Sequence, residues 1–234
     1  MSNPVNFISG RLIKRYKRFF ADVKLDSGEV VTAHCPNTGS MMGLLEEGNI
    51  VLLTKTDNEK RKLKFTLEVI KVQATNVGVN TQRANRIVEQ GIEAKKISAL
   101  GKSYHFKREV KYGKNSRIDF LIINKESKEI FLEVKNVTLS KSKNIAEFPD
   151  AITERGSKHL LELIKVVKKG KRAIMLFLIQ RDDCKKFRIA EEIDPIYKEN
   201  IIKAINAGVE ILCYSCSFTK NNIELDKKIK FIDK

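Results

Sequence analysis

The chain has 234 residues, of which 42% are hydrophobic, with 12 glycines and 4 prolines. That length holds one well-filled domain or two small ones, and the composition excludes a disordered, collagen-like or proline-rich chain. Lys and Arg number 45 against 29 Asp and Glu, and the resulting net charge of +16 points to a polyanionic partner.

The basic excess is shared, with 13 basic and 8 acidic residues over positions 1–85 and 32 and 21 over 86–234. A lysine-rich solvated surface would account for part of it, so charge licenses a nucleic-acid partner without proving one. No stretch approaches the ~18 apolar residues of a membrane span. The opening Met1 to Gly10 has no basic region followed by a hydrophobic run. A soluble cytoplasmic protein without a membrane partner is the expectation. Cys35, Cys184, Cys213 and Cys216 do not form a disulfide framework. Cys213 and Cys216 fall on a strand-like run, where residues three apart face opposite ways, which argues for structural thiols over a metal clip.

Short β-prone runs fill the first 75 residues: Val5 to Ile13, Phe19 to Leu25, Val30 to Cys35, Ile50 to Thr54 and Lys64 to Lys71. Turn signals separate them at Asp26-Ser27-Gly28, Pro36 to Gly39, Glu47-Gly48-Asn49 and Asp57-Asn58-Glu59. Five strands in so small a space predict a closed barrel of the oligonucleotide-binding (OB) type, because an open sheet of that size leaves edges exposed.

Beyond Asn80 the periodicity turns helical from about Thr81 to Leu100, weakened by Gly91. Strand patterns follow at Tyr104 to Tyr112, Arg117 to Ile123 and Ile130 to Val137, the last two joined as an antiparallel hairpin. A helix is predicted from about Ala151 to Lys169, with Ile152, Leu160, Leu163, Ile164 and Val167 buried and Arg155, Lys158, His159 and Glu162 on a neighbouring polar face. Ala173 to Gln180 reads as a central strand covered on both faces. Asp194-Pro195 starts another helix, and Gly208 stops it before a strand from Val209 to Phe218. The expected fold class is thus α/β: a small OB-like barrel over 1–80 and a mixed-sheet α/β domain over 81–234.

Three charged residues interrupt the apolar strand runs: Asp119, Glu133 and Lys135. Alternation sends Glu133 and Lys135 to one face, and the hairpin brings Asp119 within reach of it. Two adjacent carboxylates repel unless they share a proton or a cation, and oxygen ligands favour Mg²⁺ or Mn²⁺. In phosphodiester hydrolysis Asp119 and Glu133 would hold the ion and Lys135 would position the attack. The bland reading is an exposed Glu133–Lys135 pair with Asp119 near a strand end.

The segments Ala33 to Met41, Ser116 to Phe120, Glu133 to Leu139 and Phe148 to Leu160 resemble those of the sugar fermentation stimulation protein family, SfsA, over essentially the whole chain. The resemblance implies a DNA-binding protein with an N-terminal OB-like barrel and a C-terminal domain like the PD-(D/E)xK nucleases. It carries the nuclease roles to Asp119, Glu133 and Lys135, although Ile118 stands where the superfamily name has proline. It also implies a further acidic metal ligand from the preceding helix, Glu89, with Glu93 next and Glu109 as an approach from the sheet. A direct carbohydrate enzyme is not expected, since Trp is absent and aromatics are 7% of the chain.

For nucleic acid, Arg11, Lys14, Arg15, Lys17 and Arg18 form the densest early basic cluster, with Tyr16, Phe19 and Phe20 interleaved for stacking. The alternative is that the phenylalanines fill the barrel core. His34, Asn37 and the loop Pro36 to Met41 either contact a phosphate or ligand near the interdomain cleft or simply close the barrel. Arg117, Arg155, Lys158 and His159 complete the expected phosphate contacts, with the loop Ser140 to Asp150 closing over the site. The three histidines form no zinc motif, and no haem, nucleotide or flavin cofactor is expected. The expected function is largely sequence-non-specific DNA binding with a divalent-metal nuclease site, or a DNA-binding regulatory protein whose nuclease-like domain serves binding alone.

Overall fold

The computed structural model describes residues 5–112 and 116–233, so Met1 to Pro4 of the opening segment lie outside the described residues. The first sheet holds β1 (Ile8–Tyr16), β2 (Phe20–Leu25), β3 (Val30–His34), β4 (Ile50–Lys55), β5 (Phe65–Val72) and β6 (Thr75–Gly78). Their order is β3-β2-β1-β4-β5-β6, and pairing of β3 with β5 closes the barrel. Alternation along these strands sends Leu12, Val23, Leu53 and Leu67 into the barrel core. The sixth strand, β6, was not among the five expected. It binds the barrel to the rest of the chain, since Gly78 N donates to Gln180 O and Val77 bridges to Arg181. Asp182 and Asp183 extend that seam by accepting from Asn76 N and Thr75 Oγ1.

The first helix, α1 (Arg83–Glu93), is shorter than the periodicity predicts. Lys95 adopts a left-handed φ of 56° just beyond it, and Leu100 sits in a separate 3-10 turn, Ser98–Leu100. Gly91 is a packing device, because a Cβ there would meet Leu225 Cδ2 at 2.7 Å. The helix therefore lies closer to the sheet than a larger residue allows.

The second large sheet uses β7 (Tyr104–Tyr112), β8 (Ser116–Asn124) and β9 (Glu129–Val137). After β10 (Leu139–Ser142), β11 (Ile145–Phe148) and α2 (Glu154–Lys168) come β12 (Arg172–Ile179), β13 (Lys186–Ile189), α3 (Pro195–Asn206), β14 (Glu210–Thr219), β15 (Asn222–Lys228) and β16 (Lys230–Phe231). The large sheet runs β15-β14-β12-β9-β8-β7, with β9, β12 and β14 parallel. The strand β12 is apolar and buried on both faces, as a central parallel strand requires. One core joins Ile122, Leu132 and Leu176 to Ile87 and Ile92 of α1; the other joins Phe131, Val137 and Phe177 to Leu160 of α2 and Ile201 of α3.

Three expectations need correction. The Ser140 to Asp150 segment is not a loop: β10 and β11 form a hairpin in a second sheet, β10-β11-β13-β16. Buried Glu147 pins it by accepting from Arg188 and from the Lys141 amide. Ile152 lies outside α2 and is 77% exposed, because Thr153 caps the helix by accepting from Gly156 N. Arg155 and Lys158 are exposed, but His159 and Glu162 are buried against the sheet and share no solvent face with them. Asp194 caps α3 through Tyr197 N and also accepts from Thr153 N, fastening the starts of both helices together.

Candidate active site

The ladder between β8 and β9 runs from Ile123↔Glu129 to Phe120↔Leu132 and stops there. At that point Asp119 Oδ2 accepts from Val134 N at 2.7 Å, so a side-chain bond stands in for the lost ladder bond. The alternation slips at the same place, with Ile118 in the core under α2 and Phe120 in the core under α1. Asn85 of α1 holds the other oxygen, Asn85 Nδ2 donating to Asp119 Oδ1 at 2.8 Å.

Glu133 is 2% exposed and faces α2. Lys135 Nζ donates to its Oε1 at 2.8 Å and lies 3.0 Å from His159 Nδ1, and that ring nitrogen also contacts Glu133 Oε1. Glu133 Oε2 is buried and has no hydrogen-bond partner among the described residues. Burial pushes the Asp119 carboxyl up, the Glu133 charge adds to that, and the Val134 amide, Asn85 and Lys135 only partly offset them. Burial also acts upward on Glu133, but hydrogen bonding to His159 and the Lys135 charge outweigh it and hold Glu133 below its ordinary value. Tyr112 adjoins the cluster: burial, then the Glu133, Glu162 and Asp119 charges, push its phenol far up.

Asp119, Glu133 and Lys135 therefore meet where two strands part, with His159 added from α2. Asp119 and Glu133, with its unpartnered oxygen, are the residues here that could offer oxygen donors to a hard divalent cation. Among the described residues no group of three or more His, Cys, Asp and Glu side chains could hold a metal ion. Glu89 does not complete the pair; it is bonded to Arg108 Nη1 at 2.7 Å, one helical turn beyond Asn85. Glu93 is exposed at the end of α1. Glu109 is exposed with φ of 52°, on the β7 segment between the pairs Arg108↔Phe120 and Val110↔Ile118.

The basic groups divide by burial. Lys14, Lys17 and Arg18 are exposed around the β1–β2 turn, and Lys17 and Arg18 have φ of 47° and 61°. Phe19 is 46% exposed, whereas Phe20 stacks on Tyr16 with ring centroids 5.4 Å apart. Arg11 donates to Gly48 O at 3.0 Å. Half-buried Arg15 is a loop organiser, its Nη2 reaching the carbonyls of Arg18, Asn37 and Gly39 at 3.0, 2.7 and 3.2 Å. Asn37 is itself buried and closes its turn by accepting from Gly39 N at 2.8 Å. His34 ends β3, where burial and then the Arg61 charge lower its pKa. Arg117 is exposed and pairs across the sheet with Lys111.

Two bonded carboxylate arrangements were missed in the sequence. Asn85 carries no motif, and its role follows from the line along which α1 crosses the sheet. Glu68, 2% exposed, accepts from Thr54, Asn80 and Arg83, which ties barrel, connection and α1 together. Its only sequence signal was a charged residue inside the strand-like Lys64 to Lys71 run.

The profile described as Sugar fermentation stimulation protein RE domain matches residues 82–222, and the SfsA N-terminal OB domain matches 13–79. The chain belongs to the sugar fermentation stimulation protein family. The family's homologue in Pelagibacter ubique is 53% identical over 226 residues, 97% of either chain. Its homologue in Maricaulis maris is 46% identical over 230 residues, 98% of either chain. Among solved SfsA structures, that of Pyrococcus furiosus SfsA in complex with Ca²⁺ superposes with a TM-score of 0.88. It is 26% identical, and the match covers 97% of this chain and 96% of that one. Among the described residues no helix is long and apolar enough to cross a membrane.

Proposed function

We propose that this chain binds DNA chiefly through backbone phosphates and hydrolyses phosphodiesters at a Mg²⁺ or Mn²⁺ site formed by Asp119 and Glu133. In this reading 1–80 is the OB-like barrel domain and 81–234 the nuclease-like domain. The observation that carries it is the convergence of buried Glu133, half-buried Asp119 and Lys135 around an unpartnered oxygen of Glu133. The Ca²⁺ complex of the Pyrococcus relative supports an oxygen-ligand site, since Ca²⁺ and Mg²⁺ are both hard cations.

A bound divalent ion supplies Lewis-acid polarisation and lowers the pKa of its water. Val134 N and Asn85 hold Asp119 in place, so its charge is oriented before substrate arrives. Glu133 and His159 do the same for the Lys135 ammonium, which meets negative charge developing on the phosphoryl oxygens. Exposed Lys14, Lys17, Arg18, Arg117, Arg155 and Lys158 take the flanking phosphates, with an affinity that falls steeply with salt.

A second reading is DNA binding without catalysis. It is favoured by Glu133 Oε1 already lying against both Lys135 and His159, a closed ion cluster that also makes sense as structure. The test is Mn²⁺ titration by calorimetry together with cleavage of single-stranded, duplex and branched DNA in Mg²⁺ or Mn²⁺. Asp119→Asn keeps an acceptor for Val134 N and is expected to lose both metal binding and cleavage while retaining DNA affinity. Metal binding without cleavage of any substrate selects the second reading; unchanged Mn²⁺ binding in the variant removes Asp119 from the site.

A further inference from the structure

A cavity of about 390 Å³ lies between the barrel and the second domain, a volume in the range of small-molecule sites. Its barrel wall includes Arg18, Asn37 and Gly39, and its opposite wall includes Asn136, Asp150 and Thr153. Both walls are organised by bonds of their own. Arg15 gathers the carbonyls of Arg18, Asn37 and Gly39, and Thr81 Oγ1 donates to Pro36 O at 2.7 Å. A Cβ at Gly39 would meet Asp150 Oδ2 at 2.2 Å, so glycine lets the carboxylate lie directly on the loop.

One cation sharing the lining with two carboxylates favours a ligand other than a phosphate inside the cleft. Arg18 is the cation on the walls, and it is opposed by Asp150. The carboxylate of Glu147, which also lines the cleft, is engaged by Arg188. The Asn37 and Asn136 side-chain oxygens are committed to Gly39 N and Gln180 Nε2, which leaves their amide NH₂ groups as donors. Beside them Asp150 is an acceptor, and Phe148 and Pro149 supply an apolar floor. Donors and an acceptor above an apolar surface match the edge and face of a nucleobase.

The position agrees with that chemistry. Asn136, and Thr138 just past the end of β9, follow Glu133 by ~10–17 Å at ~3.3 Å per residue. Thr153, the cap of α2, precedes His159 by ~9 Å along the helix axis. Those spans are a few nucleotide steps.

We propose that this interdomain cleft takes one unpaired nucleobase of a DNA strand whose backbone runs on to the carboxylate site. This rests on the DNA reading above and narrows its substrate to DNA with single-stranded or unpaired positions. Inside a duplex the base edge is occupied by its partner, and only a released base could enter.

The test is fluorescence anisotropy at low salt with three DNAs of one sequence: fully paired, with one unpaired base, and with that position abasic. Wild type is expected to bind the unpaired DNA about tenfold more tightly than the other two. Exposed Ala151 lines the cleft mouth, and Ala151→Leu is expected to erase that preference while leaving duplex affinity and its salt dependence unchanged. A second variant, Asp150→Ala, removes the acceptor and is expected to weaken binding when the unpaired base carries an exocyclic amine and least when it is thymine, which has none. Equal wild-type affinity for the three DNAs, or a preference that survives Ala151→Leu, overturns the cleft assignment and leaves DNA binding standing. Absence of binding to all three at low salt overturns the DNA reading itself.

Discussion

The barrel turn and the parted strands both concentrate charge, but they handle it in opposite ways. Around β1–β2, Lys14, Lys17 and Arg18 project into water, where salt screens them and no single one is indispensable. Between β8 and β9, Asp119, Glu133, Lys135 and His159 are withdrawn from water and bonded to one another or to backbone. Exposed charge collects a polyanion from any direction, whereas buried charge holds a fixed orientation at a higher effective field. Arg15 shows that burial, rather than residue type, decides the role. It lies three residues from Arg18 and spends its guanidinium on three carbonyls of the chain itself.

The contrast is broken most severely at Glu133. Replacing it by alanine leaves Lys135 and His159 without their carboxylate, and a loss of about 3 kcal/mol in urea unfolding at pH 7 is expected, together with loss of Mn²⁺ binding. Unchanged stability would mean the cluster holds nothing together.

Arg15 and Arg18 sharpen the comparison within the barrel. Arg15→Ala should cost about 2 kcal/mol, because it strips the half-buried carbonyls of Asn37 and Gly39 of their donor. Arg18→Ala should stay within about 0.5 kcal/mol and instead lower the slope of log affinity against log salt by about 1. Equal effects of the two on stability would refute the division.

A smaller effect is expected at the seam between barrel and sheet. Burial raises the Asp183 carboxyl, but hydrogen bonding and charge from Arg181 outweigh it and hold it below the ordinary 3.8. A depressed folded pKa contributes stability that is present above 3.8 and is lost as pH falls through the folded value. Asp183→Asn should therefore cost about 1 kcal/mol or less at neutral pH and converge with wild type in strong acid. Urea titrations at neutral and acid pH check the sign.

The thiols give the least change of all. Burial pushes Cys184 and Cys213 up to about 12, and raises Cys35 and Cys216 as well. Iodoacetamide at pH 8 should leave all four unmodified in the folded protein and label them in denaturant, as mass spectrometry would show.

Several elements were legible from local pattern because local chemistry makes them. The Asp194-Pro195 start, the Gly208 stop and the doubly buried β12 depend on capping, backbone freedom and hydrophobicity within a few residues. Cys213 and Cys216 fall in different cores, as alternation on one strand requires. The hairpin of β8 and β9 was readable too, and with it the approach of Asp119 to Glu133 and Lys135. The small sheet of β10, β11, β13 and β16 was not, since its strands are two to four residues long and β11 pairs with β13 some 40 positions away.

Sequence by itself determined the two-part architecture, the family and the residue types able to handle a cation and a phosphate chain. Tertiary structure decided which of those residues do what: Asn85 rather than Glu89 reaches Asp119, and His159 turns inward onto Glu133. Arg15 was likewise drawn off the surface to organise a loop. The reason is that a helix presents several faces of similar polarity, and the angle at which it crosses the sheet selects one. That angle comes from packing between segments far apart in the chain, such as Gly91 against Leu225.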